Sequence, residues 1–245
     1  MIELPGNVGG YARTIRARLA TTPYIAFADD DSWWAPGALR RAVDYFDAHP
    51  RMGLLAARIL VGPEDQLDPI CKSMRDSALG WDPDLPGPSL LGFLACAAMV
   101  RREAFHPVGG FDQVVRFPGE EERVALDLAA AGWGLVYVDD IVVHHHPSSN
   151  REGSAQRRVS IVRSRLLTAV LRRSWSFVLR DSVRQLRSGR DGRAGLTAAV
   201  ARLRPALRAR QRTSRLVEGE LNRLRRDAQA TDGSFTAPRT GYEAG

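Results

Sequence analysis

Short apolar runs alternate with amphipathic stretches along the first 150 residues. Residues 24–28 form an apolar run with aromatic and branched side chains, bounded by proline and aspartate, which predicts a buried strand. Residues 53–61, 90–100, 134–138 and 141–143 predict further strands. Apolar positions three or four apart predict helices over residues 37–48 and 119–131, and a loop that runs into a helix over residues 7–20. This alternation of strands and helices predicts an α/β domain with a mainly parallel sheet.

The pattern changes near residue 154. Apolar residues recur at helical spacing between arginines, and small and polar residues follow from residue 231. We therefore divide the chain into a globular domain over residues 1–153, an Arg-rich helical extension over residues 154–230 and a disordered tail over residues 231–245.

Charge separates along the same boundary. Residues 1–150 hold 13 basic and 20 acidic residues, a net charge of −7, whereas residues 151–245 hold 22 and 8, a net charge of +14. The sequence leaves three alternative roles open for the basic helices. They pack on the domain with solvated arginines, they contact an anionic membrane surface through residues 155–226, or they bind nucleic acid. The sequence has no nucleic-acid recognition motif, so we expect no nucleic acid partner.

Features of an integral membrane protein are missing from the sequence. The longest apolar run, residues 90–100, is far shorter than the roughly 20 residues that a spanning helix needs. Cys71 and Cys96 lack the spacing of a metal site and suit two reduced thiols. We therefore expect a cytoplasmic protein, with peripheral contact to the inner face of the plasma membrane as the alternative.

Three polar clusters stand at the ends of predicted elements. They are Asp29-Asp30-Asp31 after a buried strand, Glu120-Glu121-Glu122 at the start of a helix, and His144-His145-His146 after an apolar strand. Carboxylates at a strand end can hold Mg²⁺ or Mn²⁺, a helix-opening carboxylate can act as a general base, and imidazole is a common metal ligand. Taken one at a time, each cluster also has a simpler explanation: an acidic turn or helix cap for the aspartates, a favourable charge at a helix start for the glutamates and a coincidental surface run for the histidines.

Their order resembles that of the family 2 glycosyltransferases with the GT-A fold, a relative of the Rossmann fold. The matching stretches are Phe27-Ala28-Asp29-Asp30-Asp31-Ser32-Trp33-Trp34, Gly109-Gly110-Phe111-Asp112, Gly119-Glu120-Glu121, Ala131-Gly132-Trp133 and Val142-Val143-His144-His145-His146. The resemblance implies a metal-dependent, inverting enzyme that moves a sugar from a nucleotide-diphosphate donor to a glycan or lipid-linked acceptor.

The resemblance also implies roles for single residues. It assigns a divalent metal, Mg²⁺ or Mn²⁺, to Asp31, Asp29 and His145, with His144 and His146 as substitutes for the histidine. It assigns donor binding to Asp29, Asp30 and Arg13. Glu121 matches the family's catalytic base beside Glu120, although the family more often has Asp there. We assign acceptor binding to Trp33, Trp34, Phe111, Asp112 and Trp133. For the four aromatic residues among them, a place in the core is the alternative.

Family members begin with strands that hold the nucleotide, and no such strands precede Asn7 in this sequence. We therefore expect an N-terminally truncated domain in which residues 24–28 form an edge strand, with about 50–80 further residues encoded upstream. The alternative to an enzyme is a catalytically incomplete remnant that serves as a binding or scaffold protein.

Overall fold

The computed structural model describes residues 4, 6–147 and 154–232. The strands are β1 Tyr24–Ala26, β2 Ser32–Trp34, β3 Met52–Val61, β4 Gln66–Leu67, β5 Ala98–Arg101 and β6 Gly134–His145. The helices are α1 Tyr11–Ala17, α2 Ala38–Ala48, α3 Pro69–Arg75, α4 Arg102–Phe105, α5 Glu120–Ala130, α6 Ser154–Arg172, α7 Trp175–Arg187, α8 Arg190–Arg208 and α9 Arg215–Asp232.

All six strands belong to one mixed sheet. Its order is β1-β5-β3-β6-β2, and β4 pairs with the end of β3. Among the described strands, β3 and β6 run parallel, while the other pairings, β1–β5, β5–β3, β3–β4 and β2–β6, are antiparallel. The chain is α/β, as expected, but the prediction of a mainly parallel sheet is wrong.

The error has a physical origin in the connection between β3 and β5. A parallel sheet follows from strand–helix alternation only if each connection crosses over to the same end of the sheet. Residues 62–97 instead bring the chain back so that β5 lies antiparallel to β3, with Leu54 opposite Val100. The spacing of apolar residues does not determine whether neighbouring strands run parallel or antiparallel.

The main core surrounds β3 and β6. Leu54, Leu55, Ala57 and Ile59 are fully buried, which shows that both faces of β3 are covered. The helices α2, α3 and α5 pack against β6. A strand buried on both faces reads as a continuous apolar run instead of an alternating one, as residues 53–61 do. In the described part of the chain β1 lies at one edge of the sheet, as expected for residues 24–28.

The helices α6, α7 and α8 form a second core. Leu167, Leu171 and Ala199 are fully buried there, together with Val115 from the loop before α5. The helix α9 packs on α5, where Val217 contacts a small cluster that includes Leu126. In the part of the chain that is described, no helix is both long and apolar enough to cross a membrane.

The division of the chain into three regions stays a prediction. The boundary near residue 153 falls outside the described residues, as do residues 233–245 of the expected disordered tail. The helix α9 runs to Asp232, two residues beyond the expected end of the helical extension.

Candidate active site

A tight turn presents the three aspartates between β1 and β2. The backbone N–H of Ser32 donates to the carbonyl of Asp29 at 3.2 Å. The backbone N–H of Asp29 donates in return to the Ser32 hydroxyl at 2.8 Å. Ser and Asp favour such turns because their side chains bond the nearby backbone. The turn therefore fixes where each carboxylate points as the chain leaves the sheet edge.

Sheet pairing brings His145 to this turn. In the antiparallel register of β2 and β6, Ser32 lies opposite His145, and the backbone N–H of His146 donates to the carbonyl of Asp31 at 2.8 Å. His145 Nε2 then lies 3.3 Å from Asp31 Oδ1. The imidazole is only 6% exposed. The structure therefore joins the expected aspartate and histidine, which are 114 positions apart in the sequence.

Asp31 and His145 have the donor chemistry of a divalent cation site. A carboxylate oxygen and an imidazole nitrogen face each other, and both suit Mn²⁺. Within the described residues, no three His, Cys, Asp or Glu side chains converge to hold a metal. Two protein ligands would leave open positions for phosphate oxygens, which is typical of a cation that binds with its substrate. The residues present therefore fit such a metal.

Asp29 does not join this pair. Its carboxylate forms an ion pair with the guanidinium of Arg13 on α1. The expected set of Asp29, Asp31 and His145 is thus not assembled, because Arg13 supplies the counter-charge that a metal would otherwise give to Asp29. Asp30 is exposed at the tip of the turn.

Arg13 links the aspartate turn to the start of α5. Its Nη1 lies 3.7 Å from Glu120 Oε1, and its guanidinium carbon sits 5.7 Å from the centre of the Phe111 ring. Glu120 is 1% exposed, and neither of its carboxyl oxygens has a hydrogen-bond partner. An unpaired buried carboxyl group is costly and calls for a functional or structural explanation.

Burial, helped by a neighbouring carboxylate, raises the pKa of both glutamates. Burial, with the charge of Glu121, raises the pKa of Glu120 to about 8, against the opposing effect of Arg13. Burial also raises the pKa of Glu121, opposed by hydrogen bonds to backbone groups, including Ala95, and by Arg13. A carboxyl group whose pKa approaches neutrality is suited to general-base chemistry near pH 7.

Two glycines allow this arrangement. A Cβ at Gly10 would lie 2.7 Å from Glu120 Oε1, so any larger residue there would displace the glutamate. Gly119 begins α5 with φ +101°, a left-handed conformation that suits glycine. Both positions place Glu120 and Glu121 on the first turn of α5, beneath the aspartate turn.

Trp33 is the exposed aromatic side chain beside the aspartate turn. It is 46% exposed and stacks on His144, with ring centres 5.4 Å apart and an angle of 14°. His146 meets it edge-on at 4.7 Å. The neighbouring Trp34 is half-buried, and its Nε1 donates to the carbonyl of Phe27 at 3.0 Å. Trp33 is therefore partly exposed to solvent beside two histidine rings, whereas Trp34 packs against the core.

Two of the aromatic residues expected to bind the acceptor pack elsewhere in the protein. Phe111 is fully buried and packs against Phe27 and Phe105. Trp133 precedes the first residue of β6 and packs beside Gly53, at the opposite end of that strand from His145. The expectation that these rings stack on an acceptor is wrong, because core packing takes Phe111 and strand length separates Trp133 from the site.

Asp112 is also unavailable to an acceptor. Its Oδ1 accepts the backbone N–H groups of Val114 and Val115 at 2.7 and 2.9 Å. Its Oδ2 pairs with Arg123 Nε at 2.9 Å. Both oxygens are committed to the loop before α5, which corrects the assignment of Asp112 to acceptor binding.

Two residues near the site carry no signal in the sequence. The Cys96 thiol is buried close enough to Asp29, Glu121 and Asp31 for their charges to help burial raise its pKa to about 12. Asp68 is fully buried at the start of α3 and has one oxygen, Oδ2, without a hydrogen-bond partner. Burial raises the pKa of Asp68, and the nearby His145 opposes that shift. An Asp-Pro pair at a helix start suggests only a helix cap, which Asp68 also is.

Comparison with known proteins places the chain beside glycosyltransferases. Residues 1–109 match the family model described as Glycosyl transferase family 2. The N-acetylglucosaminyl-diphospho-decaprenol L-rhamnosyltransferase of Mycobacterium tuberculosis is 26% identical over 220 residues, which cover 80% of this chain and 69% of that protein. The expected resemblance to family 2 glycosyltransferases is confirmed, and it supports a glycosyltransferase enzyme.

Solved structures show the same fold. GalNAc-T7, solved with UDP, GalNAc and Mn²⁺, has a TM-score of 0.54 at 15% identity, covering 89% of this chain and 43% of that one. S. aureus TarS 1-349 has a TM-score of 0.51 at 13% identity, covering 96% and 74%. The chain thus spans less than half of the GalNAc-T7 chain. The architecture is that of the GT-A glycosyltransferases.

Proposed function

We propose that this protein transfers a sugar from a nucleotide-diphosphate donor to a hydroxyl group of a glycan or lipid-linked acceptor, with inversion at the anomeric carbon. The observation that carries the proposal is the convergence of Asp31 and His145 with Arg13, Asp29 and the buried glutamates at one end of the sheet. The Mycobacterium relative acts, by its name, on a diphospho-decaprenol acceptor, which supports a lipid-linked acceptor in this case too.

Each group would have a separate task. Arg13 and Asp29 would bind the donor, with the exposed Asp30 beside them. Glu121 would take the proton from the acceptor hydroxyl as that oxygen attacks the anomeric carbon. Glu120, buried next to it and with a pKa raised by burial and by the charge of Glu121, would keep a second carboxyl group beside the base. Trp33 would contact a sugar ring with its exposed part.

Asp31 and His145 would hold a divalent cation, Mg²⁺ or Mn²⁺. When bound, such a cation neutralises the negative charge that builds on the leaving diphosphate. GalNAc-T7 was solved with Mn²⁺, which supports a divalent metal in this fold.

The protein would work at the cytoplasmic surface of a membrane. One face of α7 leaves apolar side chains exposed at helical spacing among arginines. We call this the α7 face, and it consists of Leu179, Val183 and Leu186 with Arg180, Arg184 and Arg187. Exposed leucines flanked by arginines suit the boundary of an anionic bilayer.

A binding or scaffold protein without catalysis is the competing proposal. To separate the two, the full chain is incubated with Mn²⁺ and a panel of nucleotide sugars, and hydrolysis or transfer is measured. We expect turnover with at least one donor, and Asp31→Ala should lower kcat about 100-fold because it removes a cation ligand.

Asp44→Ala serves as the matched control, because Asp44 is an exposed aspartate of α2 that pairs only with Arg40 on the same helix. Its activity should equal that of the wild type. Absence of turnover with every donor, together with absence of Mn²⁺ binding, would favour the binding protein.

A further inference from the structure

The strand register of β2 and β6 determines the surroundings of Trp33. Side chains alternate between the two faces of a strand, so Ser32 is buried whereas Trp33 is exposed. Trp33 lies directly opposite His144 in the antiparallel pairing, and the two rings stack with their centres 5.4 Å apart. The stack is therefore a cross-strand pair, which the register of the sheet fixes.

Asp65, in the turn that follows β3, fixes the ring of His144. Asp65 Oδ1 lies 2.8 Å from His144 Nδ1. Because a carboxylate can only accept, the Nδ1–H group donates this hydrogen bond. The turn is attached to the end of β6, since the backbone N–H of Gly62 donates to the carbonyl of His145 at 3.0 Å. Asp65 thus holds His144, and His144 packs on the indole of Trp33.

The backbone of Asp65 has an unusual conformation. Its φ is +50°, and it is the one non-glycine residue with positive φ among the residues that the structure describes. Aspartate tolerates this left-handed conformation better than most residues but worse than glycine. Residues held in such conformations cluster at ligand sites, where the surrounding contacts outweigh the cost. The contact between the Asp65 side chain and His144 is the feature that glycine would not provide.

We propose that Trp33, His144 and Asp65 form a subsite for a pyranose ring of the acceptor, in which Trp33 contacts the sugar and Asp65 positions Trp33 through His144. Almost half of Trp33 is accessible, at 46%. Its indole offers apolar surface to the C–H groups of a sugar, and nearby polar groups can fix the orientation of the ring. Those groups are the exposed Asp65 carboxylate and the ring of His146. This inference rests on the proposed function, because it names a binding group for the acceptor of that same site.

The position of Trp33 favours a sugar of the acceptor over the sugar of the donor. Asp29, which pairs with Arg13 and would bind the donor, comes shortly after β1. Trp33 belongs to β2, which lies at the opposite edge of the described sheet from β1. A sugar ring at Trp33 is therefore placed away from the pair that would bind the donor.

Two substitutions test the role of Asp65 without disturbing its turn. Asp65→Gly removes the side chain and accepts a positive φ. Asp65→Asn also tolerates this backbone and keeps an oxygen that accepts from His144 Nδ1. The indole N–H signal of Trp33 in a proton–nitrogen correlation spectrum, assigned with Trp33→Phe, should shift in Asp65→Gly and return in Asp65→Asn. A role in stability alone would not move this signal.

The binding test is saturation-transfer NMR of the full chain in EDTA with methyl pyranosides of glucose, mannose and N-acetylglucosamine. We expect transfer to at least one of them. Trp33→Ala should weaken that binding about tenfold, and Asp65→Gly about fivefold, as loss of one hydrogen bond would. Asp65→Asn should stay within about twofold of the wild type. Trp81→Ala is the matched control, since Trp81 is an exposed tryptophan in the loop after α3, and it should bind as the wild type does.

A second arm separates the two sources of a sugar ring. Mg²⁺ is added together with either UDP or UDP-glucose. The glycoside should stay bound in both cases, because the acceptor subsite is separate from the donor groups. Displacement by UDP-glucose but not by UDP would assign the ring to the donor and contradict the proposal.

Absence of transfer to every glycoside, or transfer that survives Trp33→Ala, overturns the subsite. Equal binding by Asp65→Gly and the wild type overturns the positioning role of Asp65. Failure of the proposed function is distinguishable, since a chain without turnover on any donor can still bind a glycoside at Trp33. Conversely, an active enzyme whose glycoside binding and acceptor KM ignore Trp33→Ala disproves the subsite only.

Discussion

At the scale of single residues, Glu120 carries a carboxyl group that the fold keeps from ionising. It is 1% exposed, and both of its oxygens lack hydrogen-bond partners. Arg13 approaches to 3.7 Å, but Asp29 shares that cation. Because burial raises the pKa of Glu120 from 4.5 to about 8, the folded protein holds this proton more tightly than the unfolded chain does.

This difference predicts how stability depends on pH. The bound proton stabilises the fold fully below the unfolded pKa of 4.5, and that contribution is lost as pH rises through the folded pKa of about 8. The free energy of unfolding, measured by urea titration, should therefore fall between pH 5 and pH 8. In Glu120→Gln the fall should be smaller, by up to about 1.4 kcal/mol per pH unit.

Glu121 remains in the Glu120→Gln variant, and its pKa is raised as well. Part of the decrease in unfolding free energy with pH should therefore persist in that variant. Glu103→Gln is the control, since the Glu103 side chain is 68% exposed. Parallel curves for wild type and Glu120→Gln would show that Glu120 is ionised in the folded protein at neutral pH.

The sequence identified some residues of the candidate site and missed others, and the difference has a physical reason. Asp31 and His145 carry ligand chemistry of their own, so the order of motifs was enough to pair them. The sequence around Phe111 and Cys96 does not indicate where either side chain lies. Tertiary packing places Phe111 in the core and Cys96 near the aspartates and Glu121. Residue type records what a side chain can do, whereas only the fold decides what surrounds it.

At the scale of elements, a buried ion pair links α5, the helix that begins at Glu120, to α6. Arg172 Nη2 donates to Asp127 Oδ2 at 2.9 Å, and the two side chains are 11% and 12% exposed. Arg123, one turn earlier on α5, also pairs with Asp127. The Asp127 carboxylate therefore pairs with both arginines, and Arg123 shares a second carboxylate, that of Asp112.

Removing this carboxylate should cost much more stability than removing a similar one at the surface. Asp127→Asn removes the carboxylate that pairs with the mostly buried Arg172 and leaves Arg123 with Asp112 alone, so we expect a loss of about 3 kcal/mol in the free energy of unfolding. The measurement is urea unfolding followed by circular dichroism.

Asp191→Asn is the matched control. Asp191 pairs with Arg158 at 2.6 Å, but the two side chains are 38% and 48% exposed. Water screens such a pair, so its loss should cost only about 0–1 kcal/mol. Equal losses in the two variants would mean that burial adds nothing to the pair on α5.

Elements were predicted more reliably than their arrangement. Periodicity located α2 and α5 to within one residue, because each buries one apolar face. It gave the last strand as two segments, residues 134–138 and 141–143, although β6 runs unbroken from Gly134 to His145 across exposed Asp140. It also placed a long strand over residues 90–100, where only Ala98–Arg101 is a strand. Local patterns report burial, and non-local pairing decides which buried segment is extended.

At the scale of the whole molecule, charge is divided between an acidic part that holds the aspartate turn and the glutamates of α5, and a basic helical part. Residues 151–245 carry a net charge of +14. Many of these arginines are used internally: Arg165 and Arg184 pair with buried Asp181, and Arg173 pairs with Glu218. Packing thus accounts for part of the basic charge, and the α7 face is where arginines adjoin exposed apolar side chains.

The α7 face predicts binding to anionic membranes. Leu179 is 66% exposed, and burying one such side chain in a bilayer contributes about 1.5–3 kcal/mol. Leu179→Glu should therefore weaken cosedimentation with phosphatidylglycerol vesicles about tenfold or more.

Leu39→Glu is the matched control, since Leu39 is a 44% exposed leucine of α2 in the acidic part of the chain. High salt should weaken wild-type binding, because it screens the arginines. Equal binding to neutral phosphatidylcholine vesicles, or equal effects of the two substitutions, would contradict a membrane contact through this face.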